Sequence, residues 1–104
     1  MAVTDIKDAE FDEKTSTGVD LIDFWATLCG PCKMQSPVIE HVAEGRSDVN
    51  FYKMDVDENP KTAQEIGVLA IPTLLIKKDG EVVDRITGYT PADELNKILD
   101  QYTK

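Results

Sequence analysis

Apolar residues along the chain fall into short continuous runs and into stretches with helical spacing. The run Val19–Trp25 is rich in β-branched and aromatic residues and almost uninterrupted, which is typical of a strand covered on both faces of a sheet. Over residues 34–42 apolar side chains recur every four positions, which predicts an amphipathic helix that ends at Gly45. Pro37 lies inside this helix and should bend it, because proline has no backbone N–H to donate.

The segments on either side predict further strands and helices. A short strand over residues 2–6 leads to Asp8, which we expect to cap a helix over residues 9–15. Beyond the amphipathic helix, Asn50–Asp55 has the composition of a strand, and Asn59 is the expected cap of a short helix behind it. Strand and helix therefore alternate through this part of the chain.

The C-terminal part of the chain predicts a hairpin and a last helix. Two apolar runs, 73–77 and 82–87, flank Asp79-Gly80, a dipeptide that favours a two-residue hairpin turn. Residues 90–93 form a capping-box pattern at the start of the last helix. The order βαβαβαββα predicts an α/β fold with a mixed sheet, parallel early and closed by an antiparallel hairpin, with helices on both faces. No linker or repeat interrupts it, so we expect one domain over residues 1–104.

Charge and composition limit which classes of partner and which cellular compartment we expect for this protein. The 104 residues carry a net charge of −9, which argues against nucleic acid or an anionic membrane as partner. The N-terminus has acids where a signal peptide needs a basic start, and the longest apolar stretch, 68–76, is too short to span a bilayer. We therefore expect a cytoplasmic protein. Because that compartment keeps thiols reduced, its single cysteine pair is not expected to be a structural staple.

The two cysteines lie in one Cys-Gly-Pro-Cys motif between the central strand and the amphipathic helix. Cys29, Cys32 and His41 cannot complete the four-ligand set of a structural zinc site, so we expect no metal. Residues three apart in a first helical turn are close enough to form a disulfide. The helix start stabilises a thiolate at Cys29, and Cys32, one turn in, should be less exposed. The spacing therefore predicts a redox couple in which Cys29 attacks and Cys32 resolves, with two inert thiols as the alternative.

Two charged residues are candidates for supporting that chemistry. Asp23 interrupts the apolar strand and should lie beneath the cysteines, where burial raises a carboxyl pKa and allows proton exchange with Cys32. The alternative is an Asp23 side chain that reaches solvent. Lys53 is either its counter-charge on the neighbouring strand or a surface lysine. Pro72 opens a later strand, and the sequence alone leaves its peptide isomer open.

With these residues in hand, the chain closely resembles the thioredoxin family, of the bacterial type, over essentially its whole length. The matching segments are LIDFWA, CGPCKM, PVIEHVA, KMDVDENP, IGVLAIPTLLIKKDGEVV and ITGY. The resemblance implies the thioredoxin fold, a central mixed five-stranded sheet flanked by four helices, with Pro72 cis and Asp23 the buried acid under Cys32. It also implies a reductase of protein disulfides that binds no cofactor and whose redox group is the Cys29–Cys32 disulfide.

The same resemblance implies partners and a recognition surface. An NADPH-dependent thioredoxin reductase would recharge the protein, which we expect to be a monomer. The implied clients are ribonucleotide reductase, thiol peroxidases and methionine sulfoxide reductases. Trp25 should pack close to the disulfide, and the recognition surface comprises Leu28, Gly30, Pro31, Ala70, Ile71, Pro72, Thr87 and Gly88.

Two positions depart from the family's usual pattern. The family commonly has Trp at the position of Leu28 and Gly at that of Ala70, and both border the cysteines. Leu28 removes an aromatic contact, so client preference carries over less directly than the sulfur chemistry. Two other functions remain open at this point: an oxidase or isomerase on the same fold, and a non-redox binding subunit that docks partners around Leu28 and Ile71.

Overall fold

The computed structural model describes residues 2–104 of the chain. Strands and helices alternate in the predicted order, and a short 3₁₀ helix (Asp8–Glu10) leads into the first α-helix. The elements are β1 (Val3–Asp5), α1 (Phe11–Lys14), β2 (Val19–Trp25), α2 (Gly30–Glu44), β3 (Asn50–Asp55), α3 (Pro60–Ile66), β4 (Thr73–Lys78), β5 (Glu81–Thr87) and α4 (Ala92–Thr103).

The strands form a five-stranded mixed sheet in the order β1-β3-β2-β4-β5. The strands β1, β3 and β2 run parallel to one another. The strand β4 is antiparallel to β2, and β5 is antiparallel to β4. The central strand β2 ends beside the end of β3, where Trp25 is level with Asp55, and beside the start of β4, where Phe24 is level with Thr73. The chain that leaves β2 therefore emerges next to the segment that enters β4.

Alternate residues of β2 face two separate hydrophobic cores, as a buried strand requires. Leu21 points to the side covered by α2 and α4, and Ile22 to the side covered by α1 and α3. The buried residues of the first core are Val3, Val19, Leu21, Ile39, Val42, Ala43, Val49, Phe51, Leu74, Ile76, Leu95 and Leu99. Those of the second are Ile6, Phe11, Ile22, Phe24, Met54, Ala63 and Leu75.

Several local predictions are confirmed. The bounds of β2 and β3 are those expected, and α2 stops at Gly45, its C-cap residue, with Pro37 inside the helix. The hairpin turn lies at Asp79-Gly80, where both residues have positive φ, 51° and 87°. That conformation is the one a two-residue hairpin requires, which is why the dipeptide was informative.

The cap predicted at Asp8 is wrong, because Lys7 occupies the N-cap position there. Asn59 does occupy the predicted N-cap position of α3, but its side chain makes no capping hydrogen bond. The Asp8 carboxylate accepts hydrogen bonds from the N–H groups of Lys61 (3.1 Å) and Thr62 (2.8 Å), so it caps α3. Asn59 in turn accepts from the Asp8 N–H through Oδ1 at 3.0 Å. The helix behind Asp8 is also shorter than predicted: α1 spans only Phe11–Lys14. Hydrogen bonds between the start of the 3₁₀ helix and the start of α3 therefore take the place of the local capping bonds that were expected.

The capping box predicted over residues 90–93 is also wrong. Pro91 occupies the N-cap position of α4 and no side chain caps the helix. Thr90 is buried, and its backbone N–H and carbonyl are both bound by the side-chain amide of Gln35. The residue expected to cap α4 is therefore fixed by α2.

Candidate active site

Cys29 and Cys32 are joined by a disulfide at the start of α2. Cys29 is the N-cap residue, its backbone is extended, and the two Cα atoms are 5.2 Å apart. The backbone N–H of Cys32 points at the Cys29 sulfur, 3.2 Å away. A donor at this position, together with the positive end of the helix dipole, stabilises negative charge on that sulfur once the disulfide is reduced.

The two sulfurs differ in exposure. The Cys32 side chain is 3% exposed, whereas Cys29 is only partly buried. Pro31 and Gly30 between them are exposed, and a Cβ at Gly30 would meet no atom within 4 Å. An incoming chain can therefore approach Cys29 from solvent and cannot approach Cys32 in the same way.

A loop before β4 lies against the Cys29 sulfur. The Ile71–Pro72 peptide bond is cis, as the family resemblance implies, and the Ile71 carbonyl oxygen lies 3.8 Å from Cys29 Sγ. The Thr73 hydroxyl donates to the carbonyl of Ala70 at 2.5 Å. This bond closes the loop over three residues and fixes the backbone that faces the disulfide.

Two leucines, one just before Cys29 and one just before the cis-proline loop, are almost fully exposed. Leu28 is 97% exposed and Leu69 is 98% exposed. The exposure of Leu69 could not be foreseen from the sequence, because this residue belongs to the apolar stretch 68–76 and resembles a core residue there. Among the other predicted recognition residues, Gly30, Pro31, Ala70 and Thr87 are exposed, Ile71 and Gly88 are half-buried, and Pro72 is buried.

Asp23 lies beneath the cysteines and is 3% exposed. Asp23 and Cys32 line the same cavity of about 200 Å³, and Asp23 Oδ1 has no hydrogen-bond partner among the described residues. Burial raises the pKa of this carboxyl to about 7, and the positive charge of Lys53 opposes part of the rise. The carboxyl is therefore placed to hold or release a proton close to Cys32 at neutral pH.

Lys53 and Trp25 also line this cavity. Lys53 is level with Asp23 in the parallel register of β3 and β2 and is half-buried, which favours its role as a counter-charge. Its ammonium lies 5.9 Å from the centroid of the Trp25 ring. Trp25 is half-buried, and its indole N–H is one of the buried polar groups without a partner in residues 2–104.

Comparison with known proteins identifies the family. A family model described as Thioredoxin matches residues 2–101 of the chain. The chain belongs to the thioredoxin family. It is 54% identical over 101 residues to thioredoxin from Listeria monocytogenes, an alignment that covers 96% of this chain and 98% of that protein. It is 50% identical over 105 residues to thioredoxin from Staphylococcus aureus, covering 98% and 99%.

Solved thioredoxin structures share the fold. The thioredoxin of Malassezia sympodialis superimposes with a TM-score of 0.89 at 39% identity, covering 98% of this chain and 94% of that one. A mutant thioredoxin from Halobacterium salinarum gives 0.90 at 38% identity, covering 98% and 91%. The predicted thioredoxin fold is confirmed.

Family membership also confirms the predicted class of activity. The chain is a dithiol-disulfide oxidoreductase of the thioredoxin family, and the redox group is its own cysteine pair, now seen at bonding distance. The alternative of a non-redox binding subunit is therefore dropped. Membership in the family implies thiol–disulfide exchange with a thioredoxin reductase and with protein disulfides. None of the helices in residues 2–104 has the length and apolar character needed to cross a lipid bilayer.

The strand β2 carries a second buried carboxylate that the sequence did not predict. Asp20 is fully buried, and since it precedes Asp23 by three residues it faces the opposite side of the sheet. It accepts a hydrogen bond from Asn50 Nδ2 at 3.0 Å and is level with Lys77 on β4. Lys77 donates to Thr15 Oγ1 at 2.7 Å. Burial raises the pKa of Asp20, while Asn50 and Lys77 oppose the rise.

Other ionisable groups lie away from the disulfide. His41 is exposed on α2, as expected. No group of three or more His, Cys, Asp or Glu side chains within residues 2–104 is arranged to hold a metal ion. Asp20 does not line the cavity shared by Asp23 and Cys32, so of the two buried carboxyls only Asp23 is placed for the sulfur chemistry.

Proposed function

We propose that the reduced protein acts as a protein-disulfide reductase in which Cys29 attacks and Cys32 resolves. The Cys29 thiolate attacks one sulfur of a client disulfide, forming a Cys29–client disulfide and releasing the other client sulfur as a thiolate. Cys32 then loses its proton and attacks the Cys29 sulfur. This step forms the Cys29–Cys32 disulfide and releases the second client thiolate, so two electrons pass from the protein to the client.

The difference in exposure between the two sulfurs supports these roles. Only Cys29 is open to an incoming chain, and only Cys29 receives the backbone N–H of the first helical turn. Cys32 is buried beside the carboxyl of Asp23 in a shared cavity. With a pKa near 7, Asp23 accepts the Cys32 proton during resolution and returns it when the disulfide is next reduced.

The recognition surface is the rim around Cys29. We place on it the exposed Leu28 and Leu69 and the backbone of Ala70 and Ile71, since the Ile71 carbonyl lies against the sulfur. Thr87 and Gly88 extend the rim, since the Gly88 N–H donates to the Pro72 carbonyl at 2.8 Å. An extended client segment that lies across this rim brings its cysteine to Cys29.

Family membership supports a set of specific partners for this reductase. We propose an NADPH-dependent thioredoxin reductase as electron donor. As clients we propose ribonucleotide reductase, thiol peroxidases and methionine sulfoxide reductases, with the protein acting as a cytoplasmic monomer. Size-exclusion chromatography with light scattering tests the monomer, and coupled NADPH oxidation with purified enzymes tests each partner.

Reduction of insulin by dithiothreitol provides the direct test of the reductase. The protein should accelerate the precipitation of reduced insulin, and a Cys29→Ser/Cys32→Ser variant is the matched control. Precipitation no faster than with that control would refute the reductase. Faster scrambling of a misfolded disulfide protein without net reduction would instead favour an isomerase.

A further inference from the structure

Gln35 is a fully buried amide one turn beyond Cys32 on α2, and it binds a distant part of the chain. Its Nε2 donates to the Thr90 carbonyl at 3.0 Å, and its Oε1 accepts from the Thr90 N–H at 2.7 Å. Gln35 is 0% exposed, and the two residues are 55 positions apart. The side chain therefore satisfies both backbone groups of one residue, as a neighbouring strand would.

An amide at this position is not what packing alone requires. The following inward position of α2, Ile39, is apolar and fully buried. A buried amide is costly unless its donor and acceptor are both paired. Here both are paired. Thr90 lies between β5 and α4 and precedes a proline, so its backbone is fixed by the two bonds from Gln35 and not by those of a helix or strand.

The segment held by Gln35 is hydrogen-bonded to the cis-proline loop that faces the disulfide. Gly88, with φ of 96°, donates its N–H to the Pro72 carbonyl, next to the Ile71 carbonyl that faces Cys29. The segment 88–90 is thus bound at one end to the cis-proline loop and at the other end to the helix that carries Cys32. Tyr89 lies between these two attachments and is 44% exposed.

We propose that Gln35 is a positioning residue for client docking: by fixing Thr90 it holds Tyr89 in place as an apolar contact for the client segment on the rim around Cys29. This role rests on the reductase proposed above. Docking to a preformed surface avoids the cost of ordering it at the moment of binding. Both hydrogen bonds of the Gln35 side chain go to Thr90, and neither goes to a cysteine sulfur. Gln35 therefore acts on the binding of large clients and leaves the sulfur chemistry unchanged.

The test is a comparison of one large and one small disulfide substrate. Gln35→Met keeps the length of the side chain but cannot make either bond to Thr90. We expect the KM for insulin, with dithiothreitol as reductant, to rise about three- to tenfold, the range that the loss of a modest binding contribution gives. The stopped-flow rate constant of the pre-reduced variant with the small disulfide DTNB should stay within about twofold of the parent.

Coupling to Tyr89 separates positioning from a general loss of stability. Tyr89→Ala should raise the insulin KM alone, and adding Gln35→Met should raise it little further, because both changes remove the same contact. Gln101→Met makes the same substitution at an exposed site of α4 and should leave the KM unchanged. Thr15→Val removes buried hydrogen bonds far from the disulfide and should lower stability with the KM unchanged.

Each outcome decides the matter. An unchanged insulin KM in Gln35→Met, an equal loss with DTNB, or full additivity with Tyr89→Ala would each overturn the role of Gln35. Circular dichroism and urea unfolding establish that the variant is folded. If it is not, Gln35→Leu, which also lacks both bonds to Thr90 and buries no charge, takes its place in the same comparison. Failure of the parent itself to reduce insulin would refute the reductase, a result distinct from all of these.

Discussion

Asp23 and Lys53 lie level with each other on adjacent parallel strands, yet the lysine does not cancel the effect of burial on the carboxyl. The pKa of Asp23 is raised from 3.8 to about 7. At pH 7 the side chain is therefore divided between an acid and an anion, whereas an exposed aspartate would be fully ionised. This one relationship affects both the stability of the protein and the chemistry of its disulfide.

The first prediction concerns stability and pH. Because the folded pKa of Asp23 exceeds the unfolded one, the folded state holds an extra proton between about pH 4 and pH 7. The free energy of unfolding should therefore fall as pH rises through that window, by on the order of 4 kcal/mol in full. Asp23→Asn should remove this fall and be more stable than the parent at pH 8.

Urea unfolding of the oxidised protein at pH 5 and pH 8 measures the effect without interference from thiols. Asp57→Asn, which neutralises an exposed aspartate, is the matched control and should keep the pH dependence of the parent. An Asp23→Asn variant less stable than the parent at pH 8 would show that the carboxylate is well solvated or paired.

The second prediction concerns proton transfer from Cys32. Mixing reduced protein with excess DTNB releases one coloured thiolate when Cys29 attacks and a second when Cys32 resolves. Asp23→Asn should leave the first phase within about twofold and slow the second by about tenfold or more near pH 7, as loss of a general base does. At pH 9, where Cys32 ionises without help, the deficit should shrink. Equal slowing of both phases would contradict the assigned role.

The third prediction concerns the asymmetry of the two thiols. Cys32→Ser leaves the exposed attacking sulfur and removes the resolving one, so covalent complexes with client proteins should accumulate. Cys29→Ser leaves only the buried sulfur and should form few. Non-reducing gels followed by reduction count these complexes, and the double serine variant gives the background. Similar yields from the two single variants would invalidate the order of attack.

The fourth prediction concerns the buried charges on the other face of the sheet. Lys77 contacts Thr15, lies 4.6 Å from the centroid of the Phe11 ring and is level with Asp20. Lys77→Met leaves Asp20 buried without its counter-charge and should cost about 3 kcal/mol. The double variant Asp20→Val/Lys77→Met should recover most of that loss, because both desolvated charges are gone.

Urea unfolding at pH 7 provides the measurement of this coupling. Lys78→Met, at the exposed neighbouring position of the same strand, is the matched control and should change stability little. A double variant as unstable as the sum of its single variants would mean that Asp20 and Lys77 do not interact.

The fifth prediction concerns Leu28, which is almost fully exposed beside the cysteines. Leu28→Trp should enlarge the apolar area that contacts clients. The larger area should strengthen client binding by on the order of 1 kcal/mol and lower the KM for insulin accordingly. The rate with DTNB should not change, since a ring at this position adds binding area only. Val82→Trp places the same ring on an exposed site of β5 and should have no effect. Equal changes with both substrates would mean that residue 28 acts on the redox pair.

Local pattern was sufficient for the core of the fold and for the redox motif. The apolar run of β2, the dipeptide Asp79-Gly80 and the Cys-Gly-Pro-Cys spacing each carry their meaning within a few residues. Asp23 could be predicted because a charge inside a buried strand is conspicuous.

The features that were missed depend on contacts between distant segments. Asp8 and Asn59 have the right side chains for capping, but the docking of two helix starts decides which N–H groups they meet. Thr90 does not cap α4, and its backbone N–H and carbonyl are bound by Gln35, 55 positions away. The pairing of Asp20 with Lys77 needs the register of β2 and β4, which no local pattern supplies.

The strand order has a consequence for synthesis on the ribosome. The central strand β2 is made early, but its neighbours β3 and β4 end at Asp55 and Lys78, and β1 pairs only with β3. During translation the backbone hydrogen-bonding groups of Val19–Trp25 therefore lack strand partners at first, and those on the edge next to β4 lack them until the chain has been made as far as Lys78. Both edges of β2 are paired only when β4 has emerged, and the reactive cysteines acquire their opposing loop at the same late stage.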